Sequence, residues 1–153
     1  MKTNQHKFLR ASVIVILTLL AIQYELGMVI NLGPSLPDLS PFGFSLTKIS
    51  DALHQVGSAA LIHAGLGSFL ALLSILTLIL SLRSKIKSVQ IFGSLGLLTI
   101  IVAMAGGILF TLSGFQEDHY SLAMASNFIL AFIAYFLELY FLKPDSHVRM
   151  TDL

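Results

Sequence analysis

The sequence predicts an all-α integral membrane protein: a four-helix, up-down transmembrane bundle with both termini cytoplasmic. Three observations carry that fold class. Of 153 residues, 56% are hydrophobic and 11% charged, where a soluble domain carries roughly 25% charged residues, and the mean hydropathy is +0.86. Apolar runs long enough to cross a bilayer recur four times with almost no charge inside them. The lysines and arginines gather in alternate connections, which sets the orientation because positively charged loops resist translocation. This composition excludes a soluble enzyme and a nucleic-acid binder. The absence of cysteine excludes a disulfide framework, a thiolate metal site, covalent haem attachment through paired cysteines and a cysteine nucleophile.

The first span covers about 8–32 and follows Lys2, Lys7 and Arg10. It is too long for a secretory leader and is followed by no small-residue cleavage site, so it is expected to stay as a helix. The connection 33–57 is the one long loop. Pro34, Pro37 and Pro41 keep its first half from being helical. In its second half Leu46, Ile49, Leu53 and Val56 recur at helical spacing among Lys48, Ser50, Asp51 and Gln55. That pattern predicts a short amphipathic helix lying in the interface. Run straight into the next span, it would make a helix of about 54 Å, too long for one crossing, so Gly57 is the expected bend.

The second, third and fourth spans cover about 59–82, 89–112 and 120–142. Arg83, Lys85 and Lys87 lie between the second and third, and Lys143 and Arg149 follow the fourth, whereas the opposite side holds only Lys48 beside Asp38, Asp51, Glu117 and Asp118. The chain is therefore expected to be one multi-pass domain of an inner or plasma membrane, surrounded by lipid.

A polar side chain at bilayer depth is costly unless it faces a protein interior or a cofactor. Gln23, Tyr24, Glu25, His63, Asn127, Tyr135 and Glu138 are the residues of this kind, and His54 and His119 lie just outside. His63 sits a turn inside the outer end of the second span, with Ala59, Ala60, Leu66 and Gly67 on its face. Small neighbours beside a histidine let a flat macrocycle approach a helix. They serve plain helix packing equally well, because Ala60, Ala64 and Ser68 form a small-xxx-small row. His119 opens the fourth span on the same side, and Glu25 lies near the same depth, where it suits a proton-active role toward a haem propionate or a quinol. His54 shares a face with Asp51; with Glu117, Asp118 and His119 it makes either an oxygen-and-nitrogen metal site or a solvated acidic loop. Asn127 is expected to bond across to another helix. Glu138 is expected at the cytoplasmic interface within reach of Lys143. Gly93, Gly96, Ala103, Gly106, Gly107 and Thr111 give the third span a glycine-rich face for close contact.

Three segments carry a resemblance to a known family: the outer loop Asn31-Leu32-Gly33-Pro34-Ser35-Leu36-Pro37-Asp38, the opening His63-Ala64-Gly65-Leu66-Gly67 of the second span, and Gly106-Gly107-Ile108-Leu109-Phe110 at the end of the third. The chain resembles one half of a haem A synthase, whose four-helix modules hold haem between histidines near the outer ends of their second and fourth spans, and more generally a small four-helix b-type cytochrome. Ala60 and Ala64 stand where that family places a glutamate and usually an arginine, and the paired loop cysteines of some members are absent. What the resemblance implies is therefore haem binding rather than haem A synthesis. The expected function is a haem-associated membrane protein of respiratory or haem-maturation type, with haem b near the outer leaflet. His63 is the first ligand, His119 or His54 its partner, and Glu25 the nearby catalytic group. A non-catalytic accessory or assembly subunit of a larger membrane complex is the alternative. The expected partners are other membrane subunits or further copies of the chain, and a quinone.

Overall fold

The computed structural model describes residues 2–32 and 36–142. Gly33, Pro34 and Ser35 of the connection after the first span, and Lys143 and Arg149 of the tail, lie outside the described residues. The described chain forms five helices: α1 (Lys2–Leu32), α2 (Leu46–Val56), α3 (Ser58–Leu82), α4 (Lys87–Leu112) and α5 (Asp118–Phe141). All but α2 are long and apolar enough to cross a membrane. The four expected spans and the short amphipathic helix are all present, with ends displaced by at most a few residues, apart from the N-terminus of α1. There the polar run before Phe8 continues the helix outward, because nothing in Lys2–Lys7 breaks it.

The breaks between helices have local causes. Gly57 closes α2 and opens α3 with φ +117°, a backbone conformation that L side chains rarely adopt. Its N–H donates to Leu53 O at 3.0 Å while its own carbonyl accepts from Ala60 and Leu61, so one residue satisfies both helix ends. The turn after α3 is held by Gln90 of α4, whose Nε2 donates to Ser84 O at 2.6 Å and Leu82 O at 3.1 Å. Leu82 O is one of the carbonyls a helix C-terminus leaves without partners, and Ser84 O belongs to the turn itself.

The four long helices touch in a ring, α1 on α3 and α5 and α4 on α3 and α5, with α4 and α5 the most extensive pair; α2 rests on α3 and α4. Along α1 and α3, and along α4 and α5, the contacts advance in opposite chain directions. Ser12 bonds Thr77 and Gln23 bonds His63 between α1 and α3; Gly96 meets Tyr135 and Gly106 meets Tyr120 and Met124 between α4 and α5. The apolar core is a column of Leu9, Val13, Ile16 and Leu20 from α1, Leu70 and Ala71 from α3, Val89 and Ile100 from α4, and Ala131 and Tyr135 from α5. Outward faces are as apolar as the core: Leu72 is 67% exposed, Phe136 57% and Leu98 56%. A soluble monomer rarely leaves so continuous an apolar exterior open to water, and lipid is the solvent that suits it.

The loop before α2 lies against the α4–α5 turn. Phe42 N donates to Leu112 O at 3.0 Å, and the Gln116 amide donates to Leu39 O at 3.1 Å and to Asp38. Gly114 in that turn has φ +69°, and a Cβ on it would strike the Leu39 carbonyl. Only glycine fits there.

Candidate functional site

Four buried side-chain atoms of the described residues lack a hydrogen-bond partner: Gln23 Oε1, His63 Nδ1, Tyr135 Oη and Glu138 Oε2. Such atoms are rare in native interiors, and two of these have a polar group close by without ordinary hydrogen-bond geometry, the Gln23 backbone beside His63 and Ser74 beside Tyr135. They fall in two pairs, one towards each end of the bundle, separated along α3 by the apolar residues Leu70 and Ala71.

The first pair joins α1 to α3. Gln23, only 9% exposed, donates its amide to His63 O at 3.0 Å. That carbonyl is already part of the α3 ladder, so the bond ties the two helices through a backbone group. Close approach is permitted by glycines on both sides: a Cβ at Gly67 would lie 3.3 Å from Gln23 Nε2, and one at Gly27 would lie 3.4 Å from His63 Cε1. The half-buried imidazole is therefore packed edgewise on the α1 backbone. The small face of α3 that includes Gly67 is taken up by the glutamine amide.

The second pair lies towards the end of the bundle that holds the α3–α4 turn. Glu138 and Tyr135 of α5 are both 0% exposed. Glu138 Oε1 lies 2.5 Å from Ser81 Oγ, which also reaches Thr77 O at 2.8 Å. Ser74 stands beside the Tyr135 ring hydroxyl with its own hydrogen given to Leu70 O at 2.7 Å. Ser74, Thr77 and Ser81 recur every three or four residues, so they form one polar stripe of α3 facing inward. Ser12 of α1 joins the stripe by bonding Thr77. Glycines of α4 make room for the larger groups: a Cβ at Gly96 would lie 2.6 Å from Tyr135 Cζ, and one at Gly93 would lie 2.8 Å from Ser81 Oγ and 3.2 Å from Glu138 Oε1.

Two expectations are corrected by this second cluster and its surroundings. Glu138 is not turned outward at its end of the bundle; it is fully buried and turned across towards α3, because its helix face is also that of Ala131, Ala134 and Tyr135. Asn127 does not bond across to another helix; its Nδ2 donates to Ala123 O of its own helix at 2.9 Å. The glycine-rich face of α4 does make close contacts, as expected.

The other candidates have separate surroundings. His119 has a side chain 63% exposed, with Nδ1 3.2 Å from Glu117 Oε2 and its ring 4.0 Å from that of Tyr120. His54 is exposed on α2 and Glu25 is exposed on α1. The contacts of His63 are with α1, so the structure does not gather the three histidines around one point. Among the described residues no group of three or more histidine, cysteine, aspartate or glutamate residues is arranged to hold a metal ion. Compared with family models, with curated proteins and with solved structures, the chain matches none.

Proposed function

We propose that the chain is a non-catalytic subunit, accessory or assembly, of a larger membrane complex, crossing its membrane four times up and down with both termini cytoplasmic. One observation carries this reading. Glu25 lies well inside a span and is exposed on the outside of the bundle, where lipid would surround it. A carboxyl group facing hydrocarbon is unfavourable, by about 2.5–3.5 kcal/mol at the bilayer centre and by less towards its boundary, and a partner covering that face removes the penalty. The bias of Lys7, Arg10, Arg83, Lys85 and Lys87 to one end of the bundle supports the orientation. Native electrophoresis of membranes solubilised in a mild detergent tests the proposal. The chain is expected to migrate in an assembly several times its own mass and to return to monomer size in harsher detergent; migration as a monomer throughout would reject it.

A second reading is a membrane protein holding haem b at His63, for which the buried Nδ1, beside the Gln23 backbone but without a hydrogen bond of ordinary geometry, is the specific support. It demands that α1 withdraw from the imidazole at Gly27, and an axial partner in His119 demands that this residue leave Glu117. An oxidised-minus-reduced visible spectrum of the purified protein tests it. A b-type band lost in His63→Ala would establish it, and a featureless spectrum after haem supplementation would end it.

A further inference from the structure

The residues that α1 turns inward fix what it turns outward. Leu9, Val13, Ile16, Leu20 and Gln23 form its buried stripe, and Tyr24 stacks on Phe128 of α5 with ring centroids 5.8 Å apart. Two residues beyond Gln23 is a rotation of about 200°, so Glu25 stands opposite the core. Thr18 and Ala11 lie seven and fourteen residues before it on the same side, and all three are exposed. Thr18 turns its hydroxyl back to Ile14 O at 3.0 Å, which leaves a small, nearly apolar surface. The stripe is thus Ala11, Thr18 and Glu25 at heptad spacing, flanked by the exposed apolar residues Ile14, Val15 and Ile22, a lipid-exposed face against which a second membrane helix can pack.

Depth follows from the register with α3. Gly27 and Gln23 stand level with His63 and Gly67, so Glu25 is about 10 Å, seven residues at 1.5 Å each, from the outer end of the bundle. Spans of 24–26 residues are about 36–39 Å long against about 30 Å of hydrocarbon, an overhang of about 3–5 Å at each end. Glu25 is therefore below the boundary, and glutamate lacks the long stem by which lysine and arginine reach the interface.

Charge identifies the occupant. Among the described residues, Lys7, Arg10, Arg83, Lys85 and Lys87 belong to the opposite end of the bundle and Lys48 to α2. A second copy of the chain packed in parallel through the same stripe would bring another Glu25, and no lysine or arginine, to this depth. We infer that the outward stripe Ala11, Thr18 and Glu25 of α1 docks a transmembrane helix of a different protein, which presents an arginine or lysine at the depth of Glu25. This inference rests on the complex-subunit reading and adds the face and the partner chemistry.

The test uses the full chain reconstituted in phosphatidylcholine vesicles with a synthetic leucine–alanine helix of membrane-spanning length, carrying one arginine seven residues from the end inserted on the outer side. Energy transfer between labels on the two should report association about tenfold tighter than for the same helix with leucine in place of arginine. Glu25→Leu should abolish that difference and Thr18→Leu should weaken it, while the exposed control Leu72→Ala leaves it unchanged. Equal binding of the arginine helix to the native chain and to Glu25→Leu would overturn the inference, as would Glu25-dependent self-association of the chain without the helix. Native electrophoresis separates this failure from that of the underlying reading. An assembly that survives Glu25→Leu leaves the subunit reading standing without this docking face; a chain that is monomeric in its own membrane removes both.

Discussion

The contact between Ser81 and Glu138 is governed by a count of hydrogens. The serine hydroxyl has one, and two acceptors lie in reach, Thr77 O at 2.8 Å and Glu138 Oε1 at 2.5 Å. When the hydrogen goes to Thr77, the hydrogen between Ser81 and residue 138 has to come from residue 138. A glutamine can supply it from Nε2 without a change of shape, so Glu138→Gln should alter stability by less than about 1 kcal/mol. Ser81→Ala strips the remaining partner from a buried carboxyl and should cost about 1–3 kcal/mol. Unfolding titrations of the two variants in mixed micelles measure the difference, and equal losses would show that packing alone holds this cluster. Shape is tested next door at Gly96. An alanine there puts a methyl 2.6 Å from the Tyr135 ring, with an overpacking cost of about 1–3 kcal/mol, whereas Gly65→Ala on α3 meets nothing within 4 Å and should be tolerated. The polar stripe that receives Glu138 was available in the sequence as Ser74, Thr77 and Ser81 at helical spacing. What concealed it was that serine and threonine are ordinary in membrane helices, where they satisfy themselves on the preceding turn, as all three do here. The inward direction of Glu138 was hidden for a related reason: distance from the end of a span fixes depth, but only the neighbours on its face, Ala131, Ala134 and Tyr135, say whether it points inward.

At the scale of elements, breaks were more legible than contacts. Proline marked the non-helical half of the outer loop, and glycine at position 57 marked the joint between α2 and α3, because both residues act through their own backbone and need no partner to be recognised. The attachment of the loop before α2 to the α4–α5 turn could not be read in advance. It depends on Leu39, Asp38 and Phe42 meeting Gly114, Gln116 and Leu112 from some seventy residues away, and nothing in either segment names the other. Gly114→Ala tests that attachment. The substitution places a side chain on a backbone at φ +69° and against the Leu39 carbonyl, a combination worth about 1–3 kcal/mol of strain. The spans themselves do not include this turn. The expected result is faster proteolysis in the segment between Leu36 and Ser45 with the four long helices still protected; unchanged cleavage would mean that the loop holds its place without the turn.

For the whole molecule, what the sequence carried was periodicity and charge, and these act over a helix or a connection rather than at a point. Four spans follow from apolar length alone. The ring of contacts among them does not, since Leu, Ile and Phe facing lipid are chemically the same as Leu, Ile and Phe facing the core: Leu70 is 2% exposed and Leu72 67%, two residues apart in one helix. The same limit hid the direction of Glu25, which was given an interior role but whose side chain is exposed, away from the core. Orientation is the whole-molecule property that charge alone assigns, through the bias of lysine and arginine, and the chain suits a direct measurement because it contains no cysteine. Single cysteines introduced at Lys7, Ser40, Lys85 and Glu117, all exposed in the structure, sample both ends of the bundle without a background to subtract. With a membrane-impermeant maleimide applied to intact cells, Ser40→Cys and Glu117→Cys should react at once, and Lys7→Cys and Lys85→Cys only after permeabilisation. The reverse pattern would turn the bundle over and place the Glu25 depth nearer the cytoplasm, so that the basic residue of the partner helix would have to be sought in the inner leaflet. Labelling of Lys7 and Lys85 on opposite sides would remove the four-crossing topology itself, because one chain cannot put both ends of an α1–α3 pair on different faces without losing or adding a span.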